Sequence, residues 1–533
     1  MTYRRSFLRA SAAMGTMAGL GAPLARPALA KPASALKFIP QADLTLLDPI
    51  QTTAAVTRNH GLMVFDTLYG VDEALNPQPQ MVEGHRVEED GRRWTLTLRE
   101  GLVFHDGTPV LARDAVASIR RWGSRDAYGQ SLMAVVDELS APDDRTIVFR
   151  LKRPWRLLPN ALAKPGPSIC AIMPERLART EATVQVTEMV GSGPFRFIAG
   201  ERVSGARAVY ERFEGYVPRP GGAASFTAGP KQVHLDRVEW HTIPDASTAA
   251  AAMQSGEMDW WEQPSFDLLP LLRRSRDIAI EAQDAFGTQC ILRFNTLMPP
   301  FDKPEARRAF LGAIQQSDFM AAVVGDDRKM WADKVGFFAP GSVMANDEGM
   351  AALNGPRDIA AAKRALEAAG YKGERVVMPA PTDFPTINAM SEVAADMFRR
   401  MGINLDYQPM DWGSVIQRLS SRQPVEKGGW SAFCIWVPGI TAVDPAAHTY
   451  LRGTGERTTF GWPSAPGVER LREAWIDAPD LESQKRIARE LQAEAFRELP
   501  YLPLGTFYQQ TAYHRRISGV LKGQPLFYNV RKD

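Results

Sequence analysis

Hydrophobic and polar positions change their rhythm along this chain, and each rhythm predicts an element. In WTLTL (94–98), Trp94, Leu96 and Leu98 fall on one face and the threonines on the other, the period of a half-buried strand. Glu100-Gly101 turns the chain, LVF resumes an extended path, and Asp106-Gly107 turns it again. From about Ala112, ARDAVASIRR sets Val116 and Ile119 against a face of arginines, a short amphipathic helix. The later half alternates in type. DIAAAKRALEAAG (358–370) spaces Ile359, Ala362 and Leu366 as a helix that stops on Gly370, and RVVMPA follows as a strand. PTINAMSEVAADMFRRMG (385–402) aligns Ile387, Met390, Val393, Met397 and Met401 and ends on Gly402. INLDYQPM then reads as strand, WGSVIQRLSS as helix and WSAFCIWV as a buried strand. This order predicts an α/β lobe with a largely parallel sheet, its Met and Leu stripes serving as core.

Length changes the picture first: 533 residues exceed what one hydrophobic core usually serves, so two or three lobes are expected. The first thirty residues stand apart. Arg4, Arg5 and Arg9 precede a mildly apolar stretch from Ala10 to Leu24, and Ala28-Leu29-Ala30 offers a small-x-small cleavage site. Arg4-Arg5-Ser6-Phe7-Leu8 resembles a twin-arginine export signal, with Tyr3 where Ser or Thr is usual; a general export signal is the alternative. No cysteine follows the cleavage site, which argues against a lipid anchor, and no apolar run of spanning length follows. A product free in the periplasm is expected.

Charge agrees with that. The chain is +2, and removing a signal with four arginines leaves the remainder near −2, with no basic footprint for nucleic acid or anionic lipid. Cys170, Cys290 and Cys434 lie far apart without CxxC spacing and are read as buried thiols, with one disulfide left open.

Catalytic patterns are missing. The sequence has no GxSxG, HExxH, GxxxxGK[ST] or GxGxxG. The seven histidines (60, 85, 105, 234, 241, 448, 514) show no close metal-ligand spacing. One pair invites a catalytic reading: His105-Asp106, within FHDGTP (104–109). Adjacent residues in a tight turn point apart, and an Asp before Gly bonds backbone N–H groups two residues on. The motif is therefore expected to be architecture, and no catalytic residue, metal or cofactor is assigned.

WTLTLREGLVFHDGTPVLARDAVASIRR resembles the signature of the family 5 extracellular solute-binding proteins, periplasmic receptors of ABC importers that include the dipeptide- and oligopeptide-binding proteins. LTLLDP (44–49), VGSGPFRF (190–197), IPDASTAAAAMQSGEMDWWEQP (243–264) and RFNTLMPPFDKPEARRAFLGAIQQSDF (293–319) are similar to further segments of that family. AKRALEAAGY, DWGSVIQRL and PYLPL follow in the family's order, so the resemblance covers essentially the whole mature chain. It implies an α/β, two-lobed periplasmic-binding-protein fold, of the type II, peptide-binding-protein-like kind, with an extra domain inserted in the first lobe. After the signal (1–30), the expected division is a first lobe from 31–75, 190–288 and 500–533, an extra domain at 76–189, and a second lobe at 289–499. It also implies a soluble monomer that delivers solute to ABC permease subunits.

The resemblance places candidate ligand contacts by position. Thr53 and Ala55 follow Asp48-Pro49, Tyr128 follows the FHDGTP helix, Trp261 and Glu262 lie in GEMDWWEQP, and Trp436 lies in FCIWVPG. In the peptide binders an aspartate three residues after that tryptophan holds the peptide's α-ammonium. Here the position is Gly439, in WVPGITAVDP, and Asp444 lies farther on. Burying an ammonium without a carboxylate costs several kcal/mol. Either Asp444 or Glu262 replaces the missing acid, or the ligand carries no free α-amine there. A modified peptide is then expected ahead of a plain one, with opines, sugars and metal chelates open, and a periplasmic chaperone or hydrolase as remoter alternatives.

Overall fold

Ala35–Ile39 (ALKFI) buries Leu36 and Phe38 on one face and Ile39 on the other. A strand covered on both faces belongs inside a sheet. It lies at the middle of seven strands, in the order Ile278–Ala282, Gln510–His514, Trp260–Trp261, Ala35–Ile39, Arg237–His241, Arg207–Arg212, Phe195–Phe197. It pairs in parallel with Arg237–His241 and Trp260–Trp261, while the outer pairs are antiparallel. The Phe38 ring meets Trp240, Trp260 and Phe527 at centroid distances of 5.6, 5.3 and 5.0 Å, the aromatic centre of the first lobe. This computed structural model describes residues 34–533; the export-signal reading lies outside the described residues.

The extra domain holds a four-stranded antiparallel sheet, ordered Val82–Glu88, Arg93–Leu98, Thr146–Leu151, Val136–Ser140. Trp94, Leu96 and Leu98 are buried and the intervening threonines half-buried, the alternation read in the sequence. Helix Ala112–Gly123 follows the FHDGTP turn. In that turn Gly107 adopts φ 84°. The Asp106 carboxylate accepts the Thr108 N–H at 3.1 Å and the Thr108 hydroxyl at 2.6 Å. His105 points elsewhere: its Nε2 lies 3.0 Å from the Gly193 carbonyl, and its backbone N–H donates to the Gly191 carbonyl at 2.8 Å. Burial lowers the imidazole pKa to about 4, so the ring is a neutral cross-link between the turn and the glycine-rich return to the first lobe.

The second lobe departs from the expected parallel sheet. Its main sheet, ordered Trp331–Ala332, Tyr501–Phe507, Thr288–Phe294, Ala432–Pro438, is antiparallel throughout. Only Val376–Pro381 and Leu405–Met410 form a parallel pair. The cause is connectivity: the chain enters and leaves the lobe on adjacent strands running in opposite directions. For the same reason Tyr501–Phe507 belongs to this sheet, and the chain rejoins the first sheet only at Gln510–His514, later than residue 500. The predicted helices appear as Ile359–Ala368, Pro385–Arg400 and Trp412–Leu419, and the first two give way to Gly370 (φ 105°) and Gly402 (φ 77°). The architecture is α/β: two lobes and an extra domain, with the lobes joined at 283–287 and 508–509.

Candidate functional site

A cavity of about 400 Å³ opens between the two main sheets. The first lobe contributes Ala55, the opening residue of helix Ala55–Val64, and Arg58 from that helix's first turn. It also supplies Glu262, which follows Trp260–Trp261. The segment crossing between lobes adds Gln283 and Asp284, and the C-terminal loop adds Gln524. From the second lobe come Trp436 and Ile440, at the end of strand Ala432–Pro438 and just beyond it.

Each polar group here has a different amount of its capacity in use. Glu262 is committed: Oε2 accepts the Gln41 N–H at 2.8 Å and Oε1 accepts Asn59 Nδ2–H at 3.0 Å. Burial raises its pKa, while those two donors and the Arg58 charge lower it. Arg58 donates from Nε and Nη2 to Asn59 Oδ1 at 3.2 and 2.9 Å. Burial lowers the guanidinium's pKa and the charges of Glu262 and Asp284 raise it. Among the described residues the Asp284 carboxylate accepts only the Phe286 N–H, at 2.9 Å through Oδ1, and burial pushes its pKa up to about 6. Gln283 and Gln524 are 8% and 3% exposed, and their amide nitrogens have no partner among the described residues. Trp436 is half-buried, its indole N–H donates to Thr386 Oγ1 at 3.2 Å, and Phe384 packs 5.9 Å from its ring. A flat apolar face, a few convergent polar groups and this volume suit a small solute.

The seven residues singled out in the sequence separate into groups. Ala55, Glu262 and Trp436 line the cavity together. Thr53 is exposed in the loop before the helix and does not line it. Trp261 is buried on the far side of the first sheet against Ile39, Met253 and Ala512, because strand alternation turns it away from the cleft. Tyr128 is 3% exposed and packs edge-on against Trp155 at 6.1 Å. Asp444 accepts the Ala447 N–H at 2.8 Å, and its charge acts on Tyr128 and Arg472 rather than on the cavity. Arg58, Gln283, Asp284 and Gln524 were not read in the sequence. Arg58 gave no distinct signal, standing in AVTRNHGLMV among the polar Thr57, Asn59 and His60.

The glycine at 439 has a steric cause. A Cβ there would lie 2.1 Å from the Phe286 carbonyl oxygen, and the Gly439 N–H donates to the Gly287 carbonyl at 2.7 Å. The crossing segment occupies the room a side chain would need. All three cysteines are buried and unbridged, and among the described residues no group of three His, Cys, Asp or Glu is placed to hold a metal ion. No helix of the described residues is long and apolar enough to cross a membrane.

Known proteins share this architecture and sequence. The family model described as bacterial extracellular solute-binding proteins, family 5 Middle, matches residues 76–458. A probable peptide ABC transporter periplasmic-binding protein of Sinorhizobium fredii is 36% identical over 99% of both chains. A glutathione-binding protein of Pectobacterium atrosepticum is 23% identical over 89% of each. Among solved structures, a periplasmic binding protein from A. tumefaciens R10 in complex with agropinic acid superposes with a TM-score of 0.78. It is 20% identical, over 94% of this chain and 99% of the other, which establishes a shared fold.

Proposed function

Because this chain belongs to the bacterial extracellular solute-binding proteins of family 5, we propose that it is an exported receptor that captures a peptide-like or modified-peptide solute between its lobes for an ABC importer. The observation that carries this reading is the composition of the cavity. Arg58 and Glu262 come from one lobe, Trp436 and Ile440 from the other, and Gln283 and Asp284 from the segment that crosses between them. A solute touching all three stabilises the closed arrangement by its differential affinity for it, and closure is what a permease can sense. No bond is made or broken, so no catalytic group is required. The protein acts as a periplasmic monomer, delivered by its twin-arginine-like signal and cleaved near Ala30.

Solute class is supported by the relatives. One is named for peptides and another for glutathione, a tripeptide with a modified linkage. The test is a thermal-shift panel pairing free peptides and glutathione with N-blocked versions, alongside opines, sugars and metal chelates. A solute at one hundred times its dissociation constant stabilises by ~2.7 kcal/mol, a readable shift. Shifts with peptide-like compounds alone support this reading; shifts confined to sugars or chelates replace the solute class. Turnover that survives repurification and is lost on changing a cavity residue overturns the receptor reading.

A further inference from the structure

The cavity contains an acid with capacity to spare, at the point where the lobes join. Among its lining residues, Glu73, Glu262 and Asp284 are acidic and Arg58 and Lys522 basic. Glu262 has both oxygens engaged. Lys522 is paired with Glu281 at 2.8 Å, and Glu73 is exposed at the rim. Asp284 differs: the Phe286 N–H fixes one oxygen at 2.9 Å, and among the described residues the second accepts nothing. Gln283 and Gln524, both more than nine-tenths buried, line the same cavity, but their amide nitrogens are sealed from it and have no partner among the described residues. The Gly523 N–H donates to the Gln283 carbonyl at 2.7 Å, which ties the C-terminal loop to the crossing segment beside Asp284. Unpartnered buried atoms also occur at Gln80 and Trp240, so that state alone marks nothing. What distinguishes Asp284 is that its half-buried carboxylate lines the cavity with one oxygen free. The same crossing segment excludes any side chain at position 439, since Phe286 O would lie 2.1 Å from its Cβ.

We propose that Asp284 holds a cationic nitrogen of the captured solute, an ammonium or a guanidinium. The acid is supplied by the crossing segment because that segment has taken the room where a side chain at 439 would stand. A desolvated ammonium needs a carboxylate partner, and the charge-assisted bond is strong in a cleft that closes over it. This assignment rests on the reading of the cavity as a solute site.

The experiment is calorimetric titration of the full-length chain and of Asp284→Asn with free tripeptides and glutathione, each against its N-acetylated counterpart. Asparagine keeps the shape and an acceptor for the Phe286 N–H, and melting of the ligand-free variant checks its fold; Asp284→Ser stands in if it fails to fold. Free-amine compounds are expected to bind the variant about thirtyfold more weakly or worse, the lower end of what removing one partner of a desolvated charge pair costs. N-acetylated compounds should bind both proteins equally poorly. Unchanged binding of free-amine compounds to the variant overturns the assignment and leaves the receptor reading standing. So does an equal loss for free and acetylated compounds, which marks Asp284 as structural. Binding of no compound to either protein overturns the peptide-like solute class and this inference with it.

Discussion

Two sets of polar groups in this molecule are built on opposite plans. At the junction with the extra domain, Asp48 receives Arg121 Nη2–H at 2.6 Å and Nη1–H at 3.1 Å, and the Val186 N–H at 2.9 Å. Arg121 spends its remaining donors on the Thr180 and Val184 carbonyls. Asp66 is closed in the same way by Lys231 at 2.7 Å and the Tyr216 hydroxyl at 3.0 Å. In the cavity, by contrast, Asp284 uses one oxygen and the Gln283 and Gln524 amide nitrogens are idle. Unpaired buried groups cost stability wherever they occur. The first set is closed within the fold, whereas the free Asp284 oxygen lines the cavity.

The largest effect should come from breaking a closed cluster. Arg121→Met leaves Asp48 buried without its cation, with only backbone N–H donors, and is expected to lower unfolding stability by ~3–5 kcal/mol in denaturant titrations. Solute preference of the surviving folded protein should not change; if it does, the two sets are not separable. Trp436→Ala should instead weaken solute binding by ~2 kcal/mol in calorimetry, with a smaller effect on stability because the ring is half-buried. Gly439→Ala tests the crossing segment. Its Cβ would meet Phe286 O at 2.1 Å, and a loss of ~1–3 kcal/mol of stability is expected from overpacking. A neutral result would show that the segment yields easily.

The effect of pH is smaller and its sign follows from burial. Asp284 has its pKa raised to about 6, so it loses its charge as pH falls through that value. Glu262, also raised, faces the same space as Arg58, and its protonation acts in the same direction. Binding of a cationic solute should therefore be full above neutrality and weaken below pH 6, by up to about tenfold per unit for each proton taken up. Asp284→Asn should flatten most of that slope, measured by titration between pH 5 and 7.5.

Much of the frame was legible because it is local. The WTLTL alternation, the helices ending at Gly370 and Gly402 and the self-contained Asp106 turn depend on neighbours in sequence. The pairing of Tyr501–Phe507 with Thr288–Phe294 does not, since the strands are some two hundred residues apart and no periodicity encodes their meeting. The cavity shows the same limit. Trp436 and Glu262 were approached through family position, whereas Gln283, Asp284 and Gln524 sit in irregular segments with no pattern to read. Tyr128 and Asp444 lie near each other but away from the cavity, a proximity that only the meeting of the second lobe with the extra domain creates.

The most direct test of the central claim, that Asp284 keeps an open oxygen for a solute, is the unfolding free energy and solute affinity of Asp284→Asn measured side by side. Asparagine keeps the shape and removes a charge that burial disfavours. The account predicts that the empty protein becomes more stable by ~1 kcal/mol while affinity for its solute falls. A loss of stability with unchanged affinity would show that Asp284 serves the fold, and would contradict the account.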